Sequence, residues 1–164
     1  MAVDAHFCVT LARDRCVAED EIQSQFNTYR EALLKNTQYY GAIIIRSDRG
    51  PDLVIDDEVW ATVQNLCFLA APDLIAGRVV EVPYFRYGSA LILSPHGEDV
   101  VFSGEFIPTV SLPIKEVLPP LYQCGLRYTN LLRRLGEYEP NSSVMANNLL
   151  AQSEVARRAI EGQL

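Results

Sequence analysis

Apolar positions recur along this chain with two different periods, and the switches between them mark out its elements. Over residues 18–36 the spacing is helical: Ile22, Phe26, Tyr29 and Leu33 form one stripe. Glu19, Asp20 and Glu21 fall in the first turn and Lys35 near the end, the placement a helix macrodipole favours. Asn36 and Thr37 are expected to terminate this helix. Residues 41–46 are short and β-branched, as in a central strand, and residues 47–52 are rich in turn formers. Leu53-Val54-Ile55 reads as a further strand. A second helix is predicted from Asp57 to Ala70, with Asp56 or Asp57 as its cap. It buries Val59, Val63, Leu66, Cys67 and Ala70, holds Trp60 at the edge of the stripe, and is closed by Pro72 and Gly77. The start of the chain is ambiguous, since residues 7–11 fit a short strand or a helical lead-in.

The period changes again over residues 79–112. Residues 79–82, 90–93 and 100–102 read as strands, and Pro95-His96-Gly97-Glu98 as the turn of a hairpin. Pro83 and Pro108 have no N–H for a ladder and belong at edges, bulges or strand ends. Tyr84-Phe85-Arg86-Tyr87-Gly88 forms an aromatic-rich link. Pro119-Pro120 suits the first turn of a helix running to Leu135, with Leu121, Cys124, Tyr128, Leu131 and Leu132 on its stripe and Gly136 as its stop. Past a polar hinge with Pro140, Ser142 or Ser143 would cap a last helix to Glu161, whose apolar face (Met145, Leu149, Ala156, Ile160) is thin. The expected architecture is an α+β single domain, a mostly antiparallel meander sheet packed by amphipathic helices. Residues 1–138 make the body and residues 139–164 a C-terminal helical appendage.

With 164 residues, 49% hydrophobic and 21% charged, the chain can bury a core without metals or disulfides. The formal net charge of -7 disfavours nucleic-acid binding and favours encounter with a basic protein. The longest apolar run, around residues 66–71, is too short for a membrane span, and the first residues lack the pattern of a secretory leader. A cytoplasmic protein with no membrane contact is therefore expected. Cys8, Cys16, Cys67 and Cys124 form no C-x-x-C pair, and no disulfide framework is expected. Cys67 and Cys124 read as small core hydrophobes.

Catalytic patterns are missing where chemistry would need them. A metal-dependent nuclease of the restriction type requires a carboxylate two residues before a lysine, and neither Lys35 nor Lys115 has one. Thiol catalysis by Cys8 or Cys16 would need His6 or His96 as base, and His6 and Cys8 are expected to point apart. His96 reads as a solvated turn residue. Nucleotide-binding and serine-hydrolase signatures do not occur. No catalytic residue, metal or cofactor is expected.

What remains is acidic and aromatic. Asp48, Asp52, Asp56, Asp57 and Glu58 are dense around the second predicted helix, while Glu98, Asp99 and Glu105 lie near sheet turns. If these ends converge they form a carboxylate patch, with Tyr84, Tyr87 and Phe106 as aromatic anchors for a protein partner. The competing reading gives the acids only local work as caps and turn residues.

The order of elements resembles that of small bacterial immunity proteins that accompany polymorphic or type VI-secreted toxins. The likeness runs through an acidic turn at Ile55-Asp56-Asp57, a helix ending near Leu74-Ile75-Ala76-Gly77, and a strand meander. It continues into Leu112-Pro113 and a leucine-rich helix with Arg127. The resemblance implies a non-enzymatic inhibitor that binds one cognate, basic toxin and blocks its active site. The alternative is an adaptor or chaperone that self-associates, as a homodimer, or holds a client through its C-terminal helix.

Overall fold

The computed structural model describes residues 3–12, 15–35 and 40–163. It is an α+β fold of two antiparallel four-stranded sheets and a helical layer. The first sheet has the order β2-β1-β3-β4, built from β1 (Asp4–Ala12), β2 (Arg15–Ala18), β3 (Tyr40–Arg46) and β4 (Leu53–Glu58). The second is the meander β5-β6-β7-β8, from β5 (Val80–Pro83), β6 (Ala90–His96), β7 (Asp99–Ser103) and β8 (Val110–Pro113). The ambiguous start of the chain is thus strand, and Pro83 sits at a strand end.

Alternation decides which face of the first sheet enters the core. Ala5, Phe7 and Val9 of β1, Ile43 and Ile45 of β3, and Leu53 and Ile55 of β4 are buried on one side. Asp4, His6 and Cys8 share the other side with Ile44, Val54 and Asp56. In the second sheet Val82, Leu91, Leu93, Val100, Phe102, Val110 and Leu112 face inward. Gly97, at φ +62°, lets a two-residue turn with Glu98 close the β6–β7 hairpin, so Pro95 and His96 are strand residues and not part of the turn.

The first predicted helix is broken into α1 (Glu19–Ser24) and α2 (Phe26–Lys35) at Gln25. Ile22, Phe26 and Leu33 are buried as the stripe requires, while its predicted end at Asn36-Thr37 lies outside the described residues. The second runs as α3 (Val59–Thr62), a π-helical segment (Val63–Leu69) and α4 (Ala70–Ile75). It begins after the aspartates: Asp56 and Asp57 belong to β4, and neither caps it. Nor does Pro72 close it, being inside α4; the chain leaves the helix at Gly77, φ +79°. The wider π turn points Leu66, Cys67 and Phe68 inward together, a broader apolar face than an α-helix offers.

That face meets α5 (Ile114–Leu135) at Gly125, where an added Cβ would lie 2.7 Å from the Phe68 ring and 2.9 Å from Cys67 Cβ. Helix α5 starts well before Pro119-Pro120, which occupy its second turn rather than its first. Tyr128 stacks edge-on against Phe7 at 5.3 Å, tying α5 to β1. Arg127 adds a second tie, donating to Glu19 at 3.1 Å and to the Ala5 carbonyl at 2.9 Å.

The last helix, α6 (Pro140–Gln163), is built into the core. Ala146, Leu149, Ser153 and Ala156 are buried where it packs on α5, α4 and the π-helical segment. Small side chains, not a wide apolar stripe, let it approach closely, so its thin face is no sign of a peripheral appendage. Its N-terminus is capped by Glu139, whose carboxylate accepts the N–H groups of Asn141 (2.9 Å) and Ser142 (2.8 Å). The cap was expected from Ser142 or Ser143; Ser142 instead donates its hydroxyl to Glu139 at 3.1 Å.

Candidate functional site

Two loops at one end of the second sheet create an aromatic surface. The β5–β6 loop carries Tyr84, Phe85 and Tyr87, and the β7–β8 loop carries Phe106. Tyr84 is the buried base. Its ring lies 5.7 Å from Tyr87 and 5.5 Å from Phe106, both edge-on, and Tyr87 and Phe106 meet at 4.4 Å. Above it Phe85, Tyr87 and Phe106 are 57%, 37% and 48% exposed. Exposed aromatics held in contact are unusual on a free surface, because each could bury more area elsewhere.

The loop owes its shape to Asp57. This residue is 2% exposed, at the inner end of β4, and its carboxylate accepts the backbone N–H of Phe85 at 2.7 Å and of Arg86 at 3.1 Å. Asp57 is therefore an anchor and does not itself face a partner. Its neighbour Asp56 points to the opposite face and pairs with Arg86 at 3.0 Å. The Arg86 guanidinium also covers the Tyr40 ring, 4.3 Å from the centroid. Burial and then the Asp57 charge push the Glu58 carboxyl above its ordinary pKa. Burial pushes the Tyr84 phenol up as well, helped by Asp57. The Tyr84 hydroxyl is buried with no hydrogen-bond partner among the described residues.

The acidic constellation thus divides. Asp56, Asp57 and Glu58 gather with Tyr84, Tyr87 and Phe106 at one end, joined by Glu105 next to Phe106. Asp48 and Asp52 lie in and beside the turn at the opposite end of β4, roughly 17 Å away by strand rise, and Asp52 is paired with Arg46 at 3.2 Å. Glu98 and Asp99 sit at the β6–β7 hairpin, the far end of β6, about 20 Å from the aromatic loop. The eight acids thus fall at different strand ends and not all beside the aromatic loop. Residues overlooked in sequence are Phe85, Arg86 and Tyr40; the aromatic run at 84–87 signalled the first two, while Tyr40 is recruited only by tertiary contact.

Other candidates separate too. His96 is exposed beside the hairpin turn, in register with Asp99. His6 and Cys8 share the outer face of β1, against the expectation that they point apart, because residues two apart in a strand lie on the same side. Cys8 is no free nucleophile: it forms a disulfide with Cys16 across β1 and β2, against the expectation of a chain without disulfides. Cys67 and Cys124 are free and buried. Their mutual hydrogen bond and then burial hold the Cys67 thiol protonated, well above its ordinary pKa.

Concavities among the described residues include a cleft of about 360 Å³ by Asp4, His6, Glu19 and Arg46, one of about 160 Å³ between Ile75, Glu98, Ile114, Lys115, Leu118 and Ile160, and an open one of about 670 Å³ between Pro72 and the Ala151–Ala159 stretch of α6. Among the described residues no group of three or more His, Cys, Asp or Glu side chains is placed to hold a metal ion. Nor is any helix among them long and apolar enough to cross a membrane. No protein-family model matches the chain, and neither a curated protein nor a solved structure matches it significantly.

Proposed function

We propose that the chain is a non-enzymatic protein-binding inhibitor that docks a basic partner on the surface formed by Phe85, Tyr87 and Phe106. The observation that carries this reading is the exposed aromatic cluster, shaped by a buried carboxylate and bordered by acids. Asp56, Glu58 and Glu105 lie around it, with Arg86 paired to Asp56. Aromatic side chains on ordered loops supply contact area at small entropic cost, and an excess of carboxylates steers a cationic surface toward them. In its sharpest form the partner is a toxin whose basic active site is occluded, a reading that rests on the resemblance to immunity proteins. Cytoplasmic residence belongs to this proposal as well. Disulfides persist chiefly in oxidising compartments, so residence in the cytoplasm would expose the Cys8–Cys16 bond to reducing thiols. The alternative adaptor role through α6 loses its motive, since the inner face of that helix is packed.

The test is capture on immobilised protein at low and high salt, wild type beside a Tyr87→Ser/Phe106→Ser variant of unchanged circular dichroism and melting. Support requires a basic protein whose capture falls with salt, is lost in the variant, and whose own activity is inhibited by the wild-type chain. Equal capture by wild type and variant, or none by either, refutes the reading. Glu105→Lys should lower the association rate at low salt and leave dissociation nearly unchanged.

A further inference from the structure

The first sheet offers a second, chemically different feature, at its edge. Among the described residues strand β2 has one neighbour, β1, and contributes one core residue, Val17; its other positions are exposed. The register sets Cys8 opposite Ala18 and Cys16 opposite Thr10, so the disulfide runs diagonally across the outer face and pins the edge strand. Its two residues are unequally exposed. Cys16 is exposed, whereas Cys8 is 7% exposed, between β2 and β3. The C-terminal end of β2 is held independently, because Glu19, the residue after it, is forked by Arg127 of α5. Opening the disulfide therefore need not unfold the sheet.

We propose that Cys8–Cys16 is an exchangeable disulfide, with Cys16 the acceptor site for small cytosol-type thiols such as glutathione. An external thiolate attacks Cys16 Sγ in line with the S–S bond. A new S–S bond forms to Cys16, the Cys8–Cys16 bond breaks, and Cys8 leaves as a thiolate that takes a proton from water. A second thiolate attacks the external sulfur of the adduct. This releases the oxidised thiol dimer and leaves Cys16 as the second free thiol. Two thiols are oxidised and one disulfide reduced, so the electrons balance. Access decides which sulfur is attacked, since exchange needs an approach along the S–S axis. Burial with mutual hydrogen bonding keeps Cys67 and Cys124 out of the reaction.

The position gives the exchange a consequence. Ala18, Cys8, Ala42 and Asp56 form one row across the four strands. Cys8 and Asp56 are thus two strand spacings, about 10 Å, apart on the same outer face. An anionic tripeptide on Cys16 would share the face on which Asp56 holds Arg86. The exchange itself is independent of the docking reading and stands or falls without it.

The experiment incubates the native, full chain with reduced glutathione, quenches with an alkylating reagent, and maps adducts by intact-mass and peptide mass spectrometry. The expected first product carries glutathione on Cys16 and alkyl on Cys8, with Cys67 and Cys124 unmodified. Its rate should be proportional to thiol and insensitive to urea below the unfolding transition. Hydrogen exchange of the reduced protein should rise most in residues 15–18, with β3 and α5 losing no more protection than the fall in global stability requires. A disulfide that opens only with global unfolding, or a first adduct on Cys8, overturns the proposal. Cys8→Ser and Cys16→Ser provide a second readout. Oxidised glutathione should modify Cys16 in the first at least about tenfold faster than Cys8 in the second, given their access. Equal rates refute the assignment, and if either variant fails to fold the wild-type mapping still decides.

Discussion

Replacing Asp57 by alanine should cost the protein both stability and the shape of its aromatic loop. The carboxylate is buried and accepts two backbone N–H groups, from Phe85 at 2.7 Å and Arg86 at 3.1 Å. Hydrogen bonds to a charged group contribute roughly 1.5–3 kcal/mol each. Two set a ceiling of about 3–6 kcal/mol, which the alanine variant should not reach. Removing the carboxylate relieves its desolvation, and the loop lies at the surface, where its freed amides can find water. A loss of about 2–3 kcal/mol is expected, lowering the melting temperature by about 4–12 °C for a chain of this size. Asp57→Asn keeps the shape but turns an NH₂ donor toward one of the two N–H groups, so about half the loss should remain. Urea unfolding gives the free energies, and hydrogen exchange at Phe85 and Arg86 reports the loop. If Asp57→Ala stays within about 0.5 kcal/mol of wild type and both amides keep their protection, the carboxylate is not the anchor.

Four further outcomes follow from the packing and the caps. Gly125→Ala should destabilise by about 1–3 kcal/mol in urea, because its Cβ would lie 2.7–2.9 Å from Phe68 and Cys67; wild-type stability would mean the ring yields freely. The N–H groups of Asn141 and Ser142 hold the Glu139 carboxyl below its ordinary pKa. The stability it contributes is complete above the unfolded value of about 4.3 and is lost as pH falls through the lower folded value. Glu139→Gln should flatten that acid limb of thermal stability, and an unchanged limb would remove Glu139 from the cap. Tyr84→Phe deletes a buried hydroxyl with no hydrogen-bond partner among the described residues and should be neutral or up to about 1 kcal/mol stabilising, whereas a clear loss would reveal an unseen acceptor. Reducing Cys8–Cys16, which closes a short loop, should lower stability by about 2–3 kcal/mol, measured by urea unfolding with and without reductant; no change would mean that β2 is held wholly by Val17 and the Glu19–Arg127 fork.

Periodicity in the amino-acid sequence determined most of the element list, because solvent exclusion imposes a period of about two on strands and 3.6 on helices wherever one face is buried. The Ile22–Leu33 stripe, the β-branched run in β3, the β6–β7 hairpin and the leucine-rich face of α5 are all legible in this way. Composition likewise announced an acidic chain able to build its own core. Local signals failed where a distant partner competed for the same group. Asp57 reads as a helix cap in isolation, yet the β5–β6 loop supplies two N–H groups and claims it. Ser142 reads as a cap until Glu139 reaches the free amides of α6 first. The face of α6 looks too thin for a core, but small side chains let helices approach closely, and that is visible only once α5 and the π-helical segment lie against it. Cys8 and Cys16 gain a reason to pair only when β2 folds back on β1. The gathering of Tyr84, Tyr87 and Phe106, and the separation of Glu98 and Asp99 from them, depend on which strand ends coincide. Strand order and direction set that arrangement, and one-dimensional patterns carry neither.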